Sequence, residues 1–204
     1  MGLIQKPGNP LKIHNTKVDL DIDKDIVLIT GDGRTLITDM ERFLEFKVPH
    51  DVMAIGRSIH AYPGRVKHWA NVDGSECIWW AENLPLKNNG KMPIRHTLGE
   101  IRGYDVDWDD GKGMDEPWNG SSALFAVMAS LTLGYKKIVL AGCPIDSKGH
   151  WYFDETITGP DWAKETFEAW REFSKTPESE MVKSLSGFTK ELLGEPRKEW
   201  LDGK

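Results

Sequence analysis

The sequence contains little cysteine, no long apolar run and no excess of positive charge. Its 204 residues include two cysteines, Cys77 and Cys143, which are too few for a disulfide framework and lack the spacing of a metal site. No apolar run approaches the ~18 residues of a membrane-spanning helix, and the amino terminus has no apolar segment of the signal-peptide kind. We therefore expect a protein of the reducing cytoplasm without a membrane span.

The charge balance excludes one class of partner. The chain has 32 acidic and 26 basic residues and a formal net charge of −6, so a surface that coats nucleic acid is not expected. A hydrophobic fraction of 39% is typical of globular proteins, and the length suffices for one well-buried domain. The sequence leaves the oligomeric state open, a homo-oligomer included.

The most informative stretch is residues 118–146, WNGSSALFAVMASLTLGYKKIVLAGCPID. Residues 121–133 carry no charge and leave almost no polar face, as in a helix that is buried on all sides. Asn119 is a good N-cap for this helix, and Gly134 suits the left-handed position after its end. Residues 138–141 are a short apolar run, typical of a strand covered on both faces.

Apolar runs that end in polar turns recur before this unit. They predict strands at 26–30, 51–56, 68–72 and 77–81. A helix from residue 35 to about Phe46 is expected after the first strand, with Leu36, Met40, Phe43 and Leu44 on its inner face. After the unit we expect a helix at 159–173, a strand at 181–185 and a terminal helix that ends near 193.

Two stretches are assigned differently. Residues 1–24 are predicted to form an extended N-terminal arm with an edge strand at 18–22, and residues 82–117 a long polar insertion. Residues 25–204 then form a single domain. The alternation of buried strands and helices predicts an α/β fold, a Rossmann-like three-layer sandwich with a mostly parallel central sheet.

The segments N-G-S-S-A from Asn119 and G-Y-K-K-I-x-L-x-G-x-x-x-D from Gly134 resemble a shared segment of two families. One comprises bacterial sialyltransferase-like glycosyltransferases, and the other includes archaeal 6-hydroxymethylpterin diphosphokinases. In both, a small Ser/Thr-Gly segment opens a buried helix and a G-Y-K-x-I turn leads into a strand that ends in Gly-x-Asp. The resemblance implies a Rossmann-like fold that binds a nucleotide across its strand ends.

The resemblance also implies site residues. The first three strands would end near the ligand at Gly31-Asp32-Gly33, at Gly56-Arg57-Ser58 and at Asp73. The families usually carry Asn where Gly56 or Arg57 stands. This sequence therefore departs from the family pattern at the residue that would contact the sugar or base. The general base of the sialyltransferase-like enzymes would correspond to His150, and Asp146, or else Asp154, could orient its ring. A solvated loop histidine is the alternative.

Two predicted helix starts suit an anion. Gly31, Asp32, Gly33 and Arg34 lie between a strand and a helix, as in a phosphate-binding turn, although Leu36 stands where the dinucleotide fingerprint has its third glycine. A tight turn without a ligand is the alternative. The second start is Asn119-Gly120-Ser121-Ser122, whose N–H groups could meet an anion or form an ordinary cap. Further positive charge could come from His60, Arg65, Lys67 and His68, or from Arg95, His96 and Arg102, unless these are simply solvated.

Three functions remain open. The first is a glycosyltransferase that uses a nucleotide-sugar donor. The second is a diphosphokinase that uses ATP and a divalent cation such as Mg²⁺, for which Asp105, Asp107 and Asp109 are weak candidate ligands because Asp-x-Asp can hold a cation that bridges a diphosphate. A solvated acidic loop is the alternative there. The third is a non-catalytic domain that senses a nucleotide or binds a partner.

Overall fold

A computed structural model describes residues 11–72, 91–98, 103–109, 121–146 and 160–203, without the side chains of 160–165. Its centre is a sheet of strands β1 Ile13–Thr16, β2 Ile26–Thr30, β3 Asp51–Ile55, β4 His68–Asn71, β5 Ile94–Leu98, β6 Val106–Trp108, β7 Lys137–Ala141 and β8 Val182–Ser184. The helices are α1 Leu36–Leu44, α2 Ser122–Leu133, α3 Pro160–Phe173, α4 Gly187–Leu193 and α5 Lys198–Asp202, with 3₁₀ turns at Gly56–His60 and Pro177–Met181.

The strands lie in the order β1-β6-β5-β4-β3-β2-β7-β8. β1 pairs antiparallel with β6, and the other neighbouring strands pair in parallel. The chain thus moves outward from β2 to β6 and then returns to place β7 on the other side of β2. The predicted α/β architecture with a mostly parallel sheet is confirmed, and it is compatible with a Rossmann-like sandwich.

The apolar runs bury both faces of the central strands. In β2, Val27 and Ile29 join the core under α2, while Ile26 and Leu28 join the core under α1, because successive side chains point to opposite faces. The helix α2 is buried from Ala123 to Ser130, as its uncharged sequence predicts. Among the described residues, no helix combines the length and apolar character needed to cross a membrane.

Several elements differ from the prediction. The edge strand is Ile13–Thr16 rather than 18–22, because backbone pairing with β6 defines this exposed strand and apolar alternation does not. β5 and β6 lie inside the predicted polar insertion. In α1, Leu44 ends the helix and is 37% exposed, so it does not belong to the inner face. The short helix α5 was not expected, and the predicted strand at 77–81 lies outside the described residues.

Candidate functional site

The strand order reverses between β2 and β7. In open α/β sheets, ligands bind beyond the carboxyl ends of the strands at such a reversal. Here Thr30 at the end of β2 pairs with Ala141 at the end of β7. The fold therefore brings the turn after β2 and the loop after β7 to one edge of the sheet, which we call the carboxyl edge.

The two glycines of the turn after β2 pack directly against the loop after β7. The Gly31 amide donates to the Ala141 carbonyl and the Gly33 amide to the Gly142 carbonyl, each at 2.8 Å. A Cβ atom on Gly31 would lie 2.5 Å from Cys143 Sγ, and one on Gly33 would lie 2.4 Å from Pro144 Cδ. The space beside these glycines is therefore filled by protein, and both amides already have acceptors. An anion at this turn would have to contact other groups.

We expect Gly33→Ala to lower the free energy of unfolding by about 1–3 kcal/mol, the usual effect of overpacking a close contact. The added methyl group would meet Pro144 Cδ at 2.4 Å and the Gly142 carbonyl oxygen at 2.6 Å, so the two loops would have to separate. Urea denaturation measures the change. Thr38→Ala, an exposed change on the following helix, is the control and should stay within about 0.5 kcal/mol of wild type. Equal stabilities for the two variants would contradict the close packing of the loops.

Two predicted site residues join the ends of β2 and β3. Asp32 Oδ2 accepts the Arg57 amide at 3.0 Å and so holds the 3₁₀ turn that follows β3. The Ser58 hydroxyl is fully buried and lies 2.6 Å from the Thr30 carbonyl and 2.7 Å from the Ile55 carbonyl. In this arrangement Ser58 fixes the shape of the edge rather than presenting its hydroxyl to a ligand. The side chains of Arg34 and Arg57 are exposed on the same edge.

The start of α2 is tied to the end of β4. The N-cap is Ser121, not Asn119 as predicted, because the Ser121 hydroxyl accepts the Leu124 amide at 3.3 Å. The Ser122 hydroxyl donates to Asn71 Oδ1 at 3.4 Å. The polar end of β4 at this contact is therefore Asn71, a residue that the sequence prediction passed over in favour of Asp73. An Asn inside the run HWANV was the available signal.

Several predicted residues fall outside the part of the chain that the structure describes. They are Asp73, Arg102, Asn119, Gly120 and His150. Asp146 is described, and it lies half-buried in the loop after β7, next to Ile145, whose φ of 49° is in the left-handed region. The pairing of His150 with Asp146 as base and orienting group stays a prediction.

The acidic residues near β6 do not converge. Arg95 donates to both carboxylate oxygens of Asp105, at 2.9 and 3.0 Å. Burial raises the pKa of Asp105, but the hydrogen bonds from Arg95 more than offset this and hold the pKa below its ordinary value. Asp107 is only 1% exposed and its Oδ1 has no hydrogen-bond partner, whereas Asp109 is exposed. Within the described ranges, no group of three or more His, Cys, Asp or Glu residues could hold a metal ion.

A buried chain of hydrogen bonds crosses the sheet beneath α2, and sequence reasoning missed it. Trp108 Nε1 donates to His96 Nδ1 at 3.2 Å, and His96 Nε2 lies 3.0 Å from His68 Nδ1. The chain continues from His68 Nε2 to the Tyr135 hydroxyl at 2.9 Å, and this hydroxyl donates to Asp51 Oδ2 at 2.9 Å. Asp51 and His68, the first residues of two predicted strands, were its only signal in the sequence, because His96 and Trp108 fall in the predicted polar insertion.

The chain allows a single arrangement of protons. An indole N–H can only donate, so His96 Nδ1 must accept and His96 Nε2 must carry the proton. The same logic gives His68 a proton on Nε2 and turns the Tyr135 hydroxyl toward Asp51. Both histidines are therefore neutral. Burial is the main cause of their neutrality, because it lowers the pKa of His68 to about 3 and the pKa of His96 well below its ordinary value.

Four of the predicted sources of positive charge are therefore corrected. His68 and His96 are fully buried and neutral, so neither can supply charge to an anionic donor. Arg65 and Lys67 precede β4 and line a pocket at the opposite edge of the sheet with Asp51, the first residue of β3. They do not contribute to the carboxyl edge.

Comparison with known proteins identifies no relative. No protein-family model, curated protein or solved structure matches the chain. The resemblance of residues 119–146 to sialyltransferase-like and diphosphokinase-like proteins therefore stays a prediction, and the arrangement of the described residues is the basis for a functional proposal.

Proposed function

We propose that this chain binds a nucleotide at the carboxyl edge and transfers a group from an activated nucleotide donor. The observation that supports the proposal is the reversal of strand order between β2 and β7, with the start of the buried helix α2 tied to the end of β4 at the same edge. This combination is where α/β sheets bind nucleotides.

The anionic part of the nucleotide would lie at the start of α2. The first amides of a helix have no partner within the helix, and they carry the positive end of its dipole. Ser121 uses its hydroxyl to cap the Leu124 amide, and Ser122 adds a second hydroxyl at this start. The exposed side chains of Arg34 and Arg57 on this edge are suited to pair with phosphate oxygens.

One observation favours a nucleotide sugar over ATP as the donor. Diphosphoryl transfer needs a divalent cation on the phosphates, and Asp105 is the first of the three candidate ligands. Its carboxylate is held by two hydrogen bonds from the Arg95 guanidinium, so a cation would have to displace an arginine. Glycosyl transfer to a hydroxyl group, with His150 in the role of general base that the resemblance implies, needs no such ion.

Pyrimidine nucleotides should therefore raise the melting temperature of the protein. A ligand that binds only the folded state stabilises it by about 2.7 kcal/mol at a hundredfold excess over its dissociation constant, which corresponds to several degrees. Ser121→Tyr should abolish the shift by filling the helix start, and the exposed change Arg57→Gln should weaken it. Thr38→Tyr, on an exposed helix position, should respond like wild type.

The same titration separates the three functions. A shift that is unchanged by a chelator supports the nucleotide-sugar donor. Loss of the shift on chelation would favour the diphosphokinase instead. If CMP, UMP, CDP, UDP and ATP at millimolar concentration leave the melting temperature unchanged, the proposal is wrong and a partner-binding domain takes its place.

A further inference from the structure

A second pocket lies at the opposite edge of the sheet, where β2, β3 and β4 begin. It has a volume of about 660 Å³ and is lined mainly by charged and polar side chains, Asp23, Lys24, His50, Asp51, Arg65 and Lys67. Because a five-residue strand is about 15 Å long, this amino edge is well separated from the carboxyl edge. A ligand here would be additional to the proposed nucleotide.

The pocket contains a buried cation with fewer acceptors than donors. The Lys67 side chain is only 8% exposed, and its ammonium lies 3.0 Å from Asp23 Oδ2 and 3.5 Å from Asp51 Oδ2. Among the described residues, the ammonium has no acceptor besides these two carboxylate oxygens. An ammonium group has three N–H donors, and leaving them unsatisfied in a buried position is unfavourable. Lys67 is therefore short of acceptors.

The Asp51 oxygen that lies near Lys67 is already shared with other donors. Its Oδ2 already accepts the amides of Asp23 and Lys24, at 3.0 and 3.3 Å, and the Tyr135 hydroxyl at 2.9 Å. These bonds attach the segment before β2 to the start of β3. Asp51 thus balances part of the charge of Lys67 and fixes the wall of the pocket.

Asp23 differs from Asp51 in being replaceable. Its carboxylate is 49% exposed and lies between two cations, Lys67 at 3.0 Å and Arg65 at 3.9 Å. Contact with the Lys67 ammonium lowers the pKa of Asp23 below its ordinary value, so the group is an anion at neutral pH. The position between Lys67 and Arg65 therefore holds a carboxylate that a stronger acceptor from solution can displace.

We propose that the amino-edge pocket binds a small oxyanion, a phosphate or a phosphate monoester, whose oxygens replace those of Asp23 on Lys67 and Arg65. Three cations, Lys24, Arg65 and Lys67, face two carboxylates in the pocket, which leaves positive charge for the ligand. A phosphate group offers more acceptor oxygens than a carboxylate and pairs with both arginine and lysine. The volume lies in the range of small-molecule sites, so the remainder of a phosphorylated metabolite fits beside the phosphate.

The test is a titration with inorganic phosphate, in which binding is measured by calorimetry and by the melting temperature. Chloride at the same ionic strength is the control anion. Wild type should bind phosphate, and Arg65→Gln should bind roughly tenfold more weakly because one of the two cations on the ligand is lost. Asp23→Asn should bind at least about threefold more tightly because it removes the competing anion. Arg171→Gln is the matched control, since Arg171 is an exposed arginine over the Phe188 ring of another surface.

The Asp23 variant gives the sharpest outcome. A purely structural role for Asp23 predicts unchanged or weaker phosphate binding in Asp23→Asn, and that result would overturn the proposal. So would an Arg65→Gln protein that binds like wild type, or a phosphate effect no larger than that of chloride. Tighter binding of glycerol phosphate than of inorganic phosphate would identify a phosphorylated metabolite as the ligand, and equal binding would identify phosphate itself. The nucleotide response should be unchanged in Arg65→Gln, so the two sites are tested separately.

Discussion

Lowering the pH from 7.5 to 5 should reduce the free energy of unfolding by about 4 kcal/mol, about 2 kcal/mol for each of the buried residues His68 and His96. Burial lowers the pKa of His68 to about 3, with a smaller contribution from Lys67 and Arg65. Burial also lowers the pKa of His96 well below its ordinary value, and His68 adds to this while Asp105 opposes it. Both histidines therefore stay neutral in the folded protein across this pH range.

The free energy of unfolding falls as the pH is lowered because the histidines bind protons in the unfolded state and not in the folded state. In the unfolded chain, histidine has a pKa of about 6.5, so it takes up a proton that the folded protein excludes. Stability is thus fully present above about pH 6.5 and falls at up to about 1.4 kcal/mol per pH unit for each histidine, down to the folded pKa. The lowered pKa values of Asp23 and Asp105 act in the same direction, but only near and below the ordinary carboxyl value of 3.8.

Urea denaturation at a series of pH values measures this slope. A double variant, His68→Gln with His96→Gln, keeps a donor and an acceptor at each position and should lose most of the pH dependence. His14→Gln, at an exposed position in β1, should keep the slope of wild type. If wild type loses less than about 1 kcal/mol between pH 7.5 and 5, the histidines are not excluded from protonation in the folded state.

Asp39→Ala should destabilise the fold by about 3–5 kcal/mol, since it leaves one buried and two partly buried donors without this acceptor and opens a cavity. Asp39 is 2% exposed, and its Oδ2 accepts the Gly142 amide at 3.0 Å, the Thr35 hydroxyl at 2.9 Å and the Ser186 hydroxyl at 2.5 Å. One carboxylate therefore joins the start of α1, the loop after β7 and the turn before α4.

Chemical denaturation of two further variants tests whether the lost acceptor of Asp39 causes the destabilisation. Asp39→Asn keeps the shape and one acceptor oxygen, so it should lose less stability than Asp39→Ala. Glu41→Ala removes an exposed carboxylate from the same helix and should change stability by less than about 0.5 kcal/mol. If Asp39→Ala is no less stable than Glu41→Ala, other acceptors replace the carboxylate and Asp39 does not join these elements.

The sequence predicts those strands and helices whose own residues form a clear apolar pattern. β2, β7 and α2 are mainly apolar and, apart from Lys137 and the two ends of α2, are buried as expected. β5 and β6 escaped prediction because their sequences, IRHTL and VDW, are rich in polar residues. His96 of β5 is tolerated in the interior through its partners His68 and Trp108 on other strands, and a linear sequence does not reveal such partners.

The candidate site was predictable in position and less so in chemistry. The edge at Gly31–Arg34 and at the start of α2 was found because glycine and small polar residues mark the ends of strands and the starts of helices. A sequence cannot distinguish a glycine that makes room for a ligand from one that makes room for another loop, and Gly31 and Gly33 are of the second kind. For Lys67 the sequence does carry the signal, because Lys67 directly precedes the predicted strand 68–72 and therefore lies at the edge where β4 begins.

The buried chain from Trp108 to Asp51 has a consequence for how the strands align. Its members lie on β6, β5, β4 and β3, with Tyr135 just before β7. A shift of β5 by one residue would turn His96 to the other face of the sheet and leave Trp108 Nε1 and His68 Nδ1 without these partners. Apolar contacts alone would tolerate several alignments of such short strands. The hydrogen bonds between the buried rings therefore specify one register for β4, β5 and β6, and any shifted register would lose some of these bonds.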